Sequence, residues 1–128
     1  MRIVVTGATG FLGRHLVPVL VKRYGSASVV GLSSRDYFLL DPVEVRRMFV
    51  ETKPEVLVHL AAYSGGIGAN RQFPADFYYR NTLLTALVFQ AAAERGVRKL
   101  IYPMGGCSYP AAARSPIDDN GGGPARLT

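Results

Sequence analysis

Three glycines at a spacing of three, Gly7, Gly10 and Gly13, are the residues of this 128-residue sequence that point most directly to a chemistry. They follow Arg2-Ile3-Val4-Val5-Thr6, which reads as a short buried strand, and they run into a helical pattern that begins at Phe11. Strand, glycine turn and helix in that order make a place for a phosphate. The first N–H groups of a helix have no partner inside it, and the helix dipole adds partial positive charge there. An anion docks at such a place when no side chain keeps it out. Gly7 suits the tight turn, Gly10 lets backbone approach a pyrophosphate, and Gly13 lets the helix close on its strand. Thr9, Phe11 and Leu12 lie among them and share the contact. The spacing is G-x-x-G-x-x-G rather than the commoner G-x-G-x-x-G, and glycines alone are a weak signal. The apolar strand in front of them carries the dinucleotide reading.

A second group of side chains bears on which dinucleotide. An NAD enzyme usually places Asp or Glu at the end of its second strand, to accept the ribose hydroxyls. Here the apolar run ending at Leu32 is followed by Ser33-Ser34-Arg35. Hydroxyls and a guanidinium, which binds phosphate as a fork, favour NADP(H), with Ser34 and Arg35 on the 2′-phosphate. Asp36 is the counter-signal, because a shift of one residue would put a carboxylate at the ribose, so NAD(H) stays open.

The rest of the chain supplies the elements that must position these groups. Residues 11–24 carry apolar side chains at helical spacing (Phe11, Leu12, Leu16, Val19, Leu20). Pro18 should bend that helix or cost it a backbone bond, and Gly25 stops it. Residues 27–32 read as a second buried strand, 33–36 as its exit loop, and Tyr37-Phe38-Leu39-Leu40 as a short third strand. Asp41-Pro42-Val43-Glu44 opens a helix: Asp41 caps, Pro42 suits the first position, and Glu44 completes a capping box. That helix is expected to reach Thr52, to bury Val45, Met48 and Phe49, and to end at Pro54. A strand over residues 56–60, a glycine-rich loop over 61–70, a long helix over 75–95 closed by Gly96, and a strand over 97–102 follow. From Pro103 onward the chain is rich in Gly, Pro and Ala and reads as loop.

Strands alternating with helices imply an α/β fold, a doubly wound parallel sheet of order 3-2-1-4-5. Ligands of such sheets sit outside the carboxyl ends of the strands. Loops 7–13, 61–70 and 104–109 are expected to meet there. Residues 1–110 form one domain in this reading, and 111–128 a loop-like tail.

Composition narrows the function classes. The net charge of +6 would suit nucleic acid, but Lys and Arg are scattered. The adjacent pairs Lys22-Arg23, Arg46-Arg47 and Arg98-Lys99 fall at helix ends or on polar faces, so the charge reads as solvated surface and no nucleic-acid partner is expected. No apolar run is long enough for a membrane span, and the first residues read as strand rather than signal segment. A soluble cytoplasmic protein is the expectation. One Cys gives neither a disulfide framework nor a metal cluster. Asp118-Asp119-Asn120 reads as a solvated turn without metal-ligand spacing. His59, inside an apolar strand, reads as a packed histidine rather than a base, and Tyr78-Tyr79 as packing or facing a helical partner.

Thr6-Gly7-Ala8-Thr9-Gly10-Phe11-Leu12-Gly13 and His59-Leu60-Ala61-Ala62 resemble the cofactor loop and fourth-strand motif of the extended short-chain dehydrogenases/reductases, the NAD-dependent epimerase/dehydratase family. Gly65-Gly66-Ile67-Gly68-Ala69-Asn70, Pro74-Ala75-Asp76-Phe77, Asn81, Lys99-Leu100-Ile101-Tyr102, Cys107-Ser108-Tyr109-Pro110 and Ser115-Pro116-Ile117 are similar to its GDP-L-fucose synthase branch. The resemblance covers nearly the whole chain. It implies a Rossmann-type fold and a nucleotide-sugar epimerase/reductase that moves hydride to or from a GDP-4-keto-6-deoxyhexose. It also implies a nucleotide-sugar partner and a homodimer through helices that include residues 75–95. On the cofactor side it points to Leu39, Ala61, Ala62 and Asn81. Asn81 either supports the active-site end of the sheet or is a surface amide. On the substrate side it points to Gly65, Gly66, Ile67 and Asn70.

Cys107 matches the family's acid/base Cys, and is otherwise a buried inert thiol. Three departures accompany the match. The family's catalytic Ser falls on Gly105, with Gly106 beside it, and a glycine has no hydroxyl to offer a carbonyl. The Asp that meets adenine falls on Phe38. No Tyr-x-x-x-Lys pair occurs in the sequence. The chain therefore reads as the cofactor half of a longer enzyme. The alternatives are another nucleotide-sugar epimerase or dehydratase, or a catalytically silent NADP-binding module.

Overall fold

Val4 and Val5 are fully buried on opposite faces of the first strand, and the rest of the fold is layered on that alternation. In the computed structural model, which describes residues 1–104, β1 (Ile3–Thr6) is an inner strand of a parallel sheet. The other strands are β2 (Val29–Leu32), β3 (Val56–His59) and β4 (Lys99–Ile101). The helices are α1 (Phe11–Tyr24), α2 (Pro42–Thr52), α3 (Ile67–Gln72) and α4 (Pro74–Glu94). Sheet order is β2-β1-β3-β4. On one face Val4 and Leu57 pack with Val45, Met48 and Phe49 of α2 and Leu84, Val88, Ala91 and Ala92 of α4. On the other, Ile3, Val5, Val29 and Val58 meet Leu16, Val17, Leu20 and Val21 of α1. Successive residues such as Ile3, Val4 and Val5 or Val56, Leu57 and Val58 thus serve alternate faces, the period-two logic of a sheet covered on both sides.

The order is the expected one without its outermost member, because residues 37–40 form no strand. Tyr37 and Leu39 are buried and Phe38 between them is exposed, which is the alternation that suggested one. The segment is instead clamped to α2. The Tyr37 hydroxyl donates to Glu51 Oε2 at 2.5 Å. Arg47 lies over the Tyr37 ring at 4.8 Å and donates to the Asp36 carbonyl at 3.1 Å. The N–H of Asp41 closes a turn on the Phe38 carbonyl at 3.0 Å. That bond to the glutamate, with burial, pushes the Tyr37 hydroxyl up to about 12.

Smaller departures have local causes. β2 begins at Val29, after a 3₁₀ turn at Ser26–Ser28. Asp41 caps α2 by accepting the Val43 N–H at 2.8 Å, but Glu44 accepts from Arg47 at 2.6 Å rather than reaching back, so the capping box is half made. α1 runs unbroken through Pro18, and the price is a missing backbone donor. The 61–70 loop contains the start of α3, tied back by Asn70 Nδ2, which donates to the carbonyls of Gly65 and Gly66 at 3.0 and 3.1 Å. Tyr78 and Tyr79 of α4 are exposed. Among the described residues no helix is long and apolar enough to cross a membrane.

Candidate dinucleotide site

Thr6, Leu32 and His59 end three neighbouring strands in one register row. The loops that leave them line one cleft of about 460 Å³. The glycine loop forms its floor, and Gly7, Thr9, Gly10, Phe11, Leu12 and Gly13 all line it. Gly7 adopts φ +69°, and a Cβ there would stand 2.7 Å from the backbone nitrogen of Ala61. At Gly13 a Cβ would stand 2.3 Å from the Gly7 carbonyl oxygen. These two glycines let strand, turn and helix touch. Gly10 differs: its Cβ would meet only the Gly7 oxygen, at 3.2 Å. Gly10 is the N-cap of α1, no side chain caps this helix, and its first turn holds no acidic residue. The free N–H groups of that turn therefore lie at the cleft with no side-chain partner among the described residues.

At the β2 exit Ser33 and Ser34 line the cleft, and Arg35 stands exposed just outside it. The Asp36 carboxylate accepts from the Ser33 N–H at 2.7 Å and the Ser33 hydroxyl at 2.8 Å. Those bonds hold its carboxyl below the usual range and turn it back on its own loop. Tyr37, Phe38, Leu39, Leu40, Met48 and Leu84 make the apolar end of the cleft.

At the β3 exit Ala61, Ala62, Tyr63 and Ser64 line the opposite wall. Asn81 stands behind that wall. It accepts the Tyr63 N–H at 2.8 Å, donates to the Tyr63 carbonyl at 2.8 Å, and donates to the Phe77 carbonyl at 3.0 Å. Its amide is committed to the loop that carries the lining. Gly65, Gly66, Ile67 and Asn70 continue that loop beyond the lining residues, and Gly65 lies against Phe77, whose Cζ a Cβ would approach to 2.7 Å.

His59 is fully buried, 2.7 Å from the Thr6 hydroxyl through Nδ1, and stacked on Tyr102 at 5.7 Å. The Thr6 hydroxyl also accepts the Ala61 N–H at 3.3 Å, so the pair braces the glycine loop against the β3 exit. Burial pulls the imidazole down to about 4, and Nε2 has no partner among the described residues. It is a neutral packed histidine. Arg80 lines the cleft although no motif marks it; its only signal is its place one turn before Leu84 and next to Asn81. Gly105, Gly106, Cys107 and the rest of the 104–109 loop after Met104, with the 111–128 tail, lie outside the described residues.

The NAD dependent epimerase/dehydratase family model matches residues 3–125. The GDP-L-fucose synthase of Sinorhizobium fredii is 33% identical over 116 residues, which are 91% of this chain and 36% of that protein. A GDP-mannoheptose C4 reductase from Campylobacter jejuni, solved with NADP bound, is 30% identical with a TM-score of 0.80 and is matched over 94% of this chain and 38% of its own. A GDP-L-fucose synthetase from Naegleria fowleri bound to NADP is 27% identical, with a TM-score of 0.77 over 94% and 38%. The chain thus spans little more than a third of the length of the relatives it matches.

Proposed function

This chain belongs to the NAD dependent epimerase/dehydratase family, and we propose that it is the NADP(H)-binding part of a nucleotide-sugar epimerase/reductase acting on a GDP-4-keto-6-deoxyhexose. The observation that carries the cofactor reading is the uncapped, acid-free start of α1 on the floor of the cleft. A pyrophosphate fits there because the backbone donors are free and Gly10 adds no side chain. Gly7 to Gly13 hold the pyrophosphate, Ser34 and Arg35 the 2′-phosphate, and Leu39, Ala61 and Ala62 the adenosine half. Asn81 serves indirectly, through the Tyr63 backbone.

The choice of NADP(H) rests on Asp36. A carboxylate aimed at the ribose would repel a 2′-phosphate, but this one is spent on Ser33. The solved relatives bound to NADP point the same way. When bound, the nicotinamide supplies or accepts the hydride. The residues of the cleft bind and orient it, while Cys107 is assigned proton transfer at carbon. The loop of Gly65, Gly66, Ile67 and Asn70 faces the sugar in this reading. Tyr78 and Tyr79, exposed on α4, are where a second copy would dock, and the cytoplasm is the expected compartment.

Gly105, where a hydroxyl is expected, favours a second reading as a binding module without turnover. Titrating the full-length protein with NADPH and NADH, and then assaying NADPH oxidation with a 4-keto GDP-sugar, separates the two. Tight NADPH binding with turnover is the expected result. Binding without turnover selects the module, and tighter NADH than NADPH overturns the cofactor assignment.

A further inference from the structure

The glycine loop brings no full charge to the site: residues 6–13 contain no Lys or Arg. A pyrophosphate seated on α1 would meet only neutral groups there. Among the described residues, the one charged side chain lining the cleft is Arg80. It already has partners on two sides. Its Nε donates to Asp76 Oδ1 at 2.9 Å, and its guanidinium carbon lies 4.7 Å from the centre of the Tyr63 ring. That ring in turn packs on Phe77 at 4.9 Å, and the backbone N–H and carbonyl of Tyr63 are both held by Asn81. The ion pair uses Nε. The two terminal nitrogens make no hydrogen bond among the described residues, which leaves a forked donor at the edge of a cleft that otherwise offers neutral groups.

We propose that Arg80 binds the pyrophosphate of the dinucleotide from the α4 wall of the cleft, its terminal nitrogens donating to phosphate oxygens. The proposal rests on the dinucleotide reading above. It divides the work between two arginines: Arg35, on the exposed rim, meets the 2′-phosphate, and Arg80, in the lining, meets the group common to NADPH and NADH. A guanidinium held by an ion pair and an aromatic face loses little further freedom on binding, so more of its attraction appears as affinity.

The test is titration of the full-length protein and its Arg80→Gln and Arg80→Lys variants with NADPH and NADH at several salt concentrations. Arg80→Gln should raise both dissociation constants by about tenfold, the lower end for a hydrogen bond to a charged group. It should also make binding less sensitive to salt. Arg80→Lys, which keeps the charge without the fork, should recover part of the affinity and keep the salt sensitivity. A loss confined to NADPH would assign Arg80 to the 2′-phosphate, and a loss seen only in KM for the sugar nucleotide would assign it to that diphosphate; either overturns the proposal. So does a loss for both cofactors with unchanged salt sensitivity and no recovery by lysine, which would mark Arg80 as a prop for Tyr63. Wild-type protein that binds neither dinucleotide refutes the cofactor reading itself, whereas equal binding by wild type and Arg80→Gln refutes only the role of Arg80.

Discussion

Replacing Gly13 by Ala, set against the same change at Gly10, separates the two tasks of the glycine loop. The Gly13 methyl would sit 2.3 Å from the Gly7 oxygen, 2.6 Å from Ala8 Cα and 2.7 Å from the Ala8 carbonyl carbon, where ordinary contact begins near 3.4 Å. All three atoms are backbone, so no side chain can swing aside. The start of α1 must retreat by about 1 Å from the turn that carries it. Overpacking of this kind costs about 1–3 kcal/mol, occasionally more, and the rigidity of the neighbours puts Gly13→Ala at the upper end. The same retreat draws the helix N–H groups away from the pyrophosphate. Hydrogen bonds to a charged group contribute about 1.5–3 kcal/mol, so NADPH affinity should fall by about ten- to a hundredfold. At Gly10 the methyl meets one oxygen at 3.2 Å and otherwise open space. There the fold should lose less than about 1 kcal/mol, chiefly because Ala is a poorer N-cap than Gly, while the added methyl still obstructs the anion. Urea unfolding and NADPH titration of both variants supply the numbers. Gly13→Ala within about 0.5 kcal/mol of wild type, or Gly10→Ala the more destabilising of the two, would show that the loop is not packed as described.

Acid should destabilise the fold through His59. Its folded value of about 4 lies below the ordinary 6.5 because burial disfavours the cation. Its contribution is therefore complete above about pH 6.5, is lost as pH falls toward 4, and is constant below that. The loss is at most about 3 kcal/mol, and in His59→Gln urea unfolding between pH 7 and 4.5 should show a much flatter decline. Asn81→Ala removes both bonds to the Tyr63 backbone. Because Tyr63 is exposed, water replaces them, and the global cost should stay below about 2 kcal/mol. Hydrogen exchange at residues 61–66 should accelerate, and unchanged exchange there would remove Asn81 from its bracing role.

The parts of the fold that could be read from sequence are those where a local constraint leaves a mark on residue type. Val45, Met48 and Phe49 follow a helical period behind an Asp-Pro start, and all three are buried on α2. Gly96, expected to close the long helix, has φ +65°, which is the freedom that only glycine supplies cheaply. The failure at residues 37–40 has the opposite character. Tyr37-Phe38-Leu39 alternates as a strand should, but what decides its shape is a hydroxyl bonded to Glu51 and a ring under Arg47, fourteen and ten residues away on another element. Periodicity reports which side of a segment is buried and says nothing of what buries it.

The same division runs through the site. Gly7 and Gly13 are glycines because a Cβ would strike Ala61 or the Gly7 carbonyl. Backbone contact of this sort excludes every other residue, so it is visible in sequence. Asn81 and Arg80 act on Tyr63 across eighteen and seventeen positions, through an amide and a guanidinium that are ordinary on any helix surface. Nothing in their types sets them apart. His59 is legible from its setting: inside an apolar strand it reads as packed, and its ring, bonded to Thr6 53 positions away, is sealed in the sheet and stays neutral at pH 7. In the proposed site the glycine-loop donors are backbone, and the glycines that position them are fixed by sterics and legible. The side chains that set the anion's orientation and strength of binding are held by tertiary contacts, and substitutions at Arg80 and Asn81 should therefore alter binding while leaving the glycine loop intact.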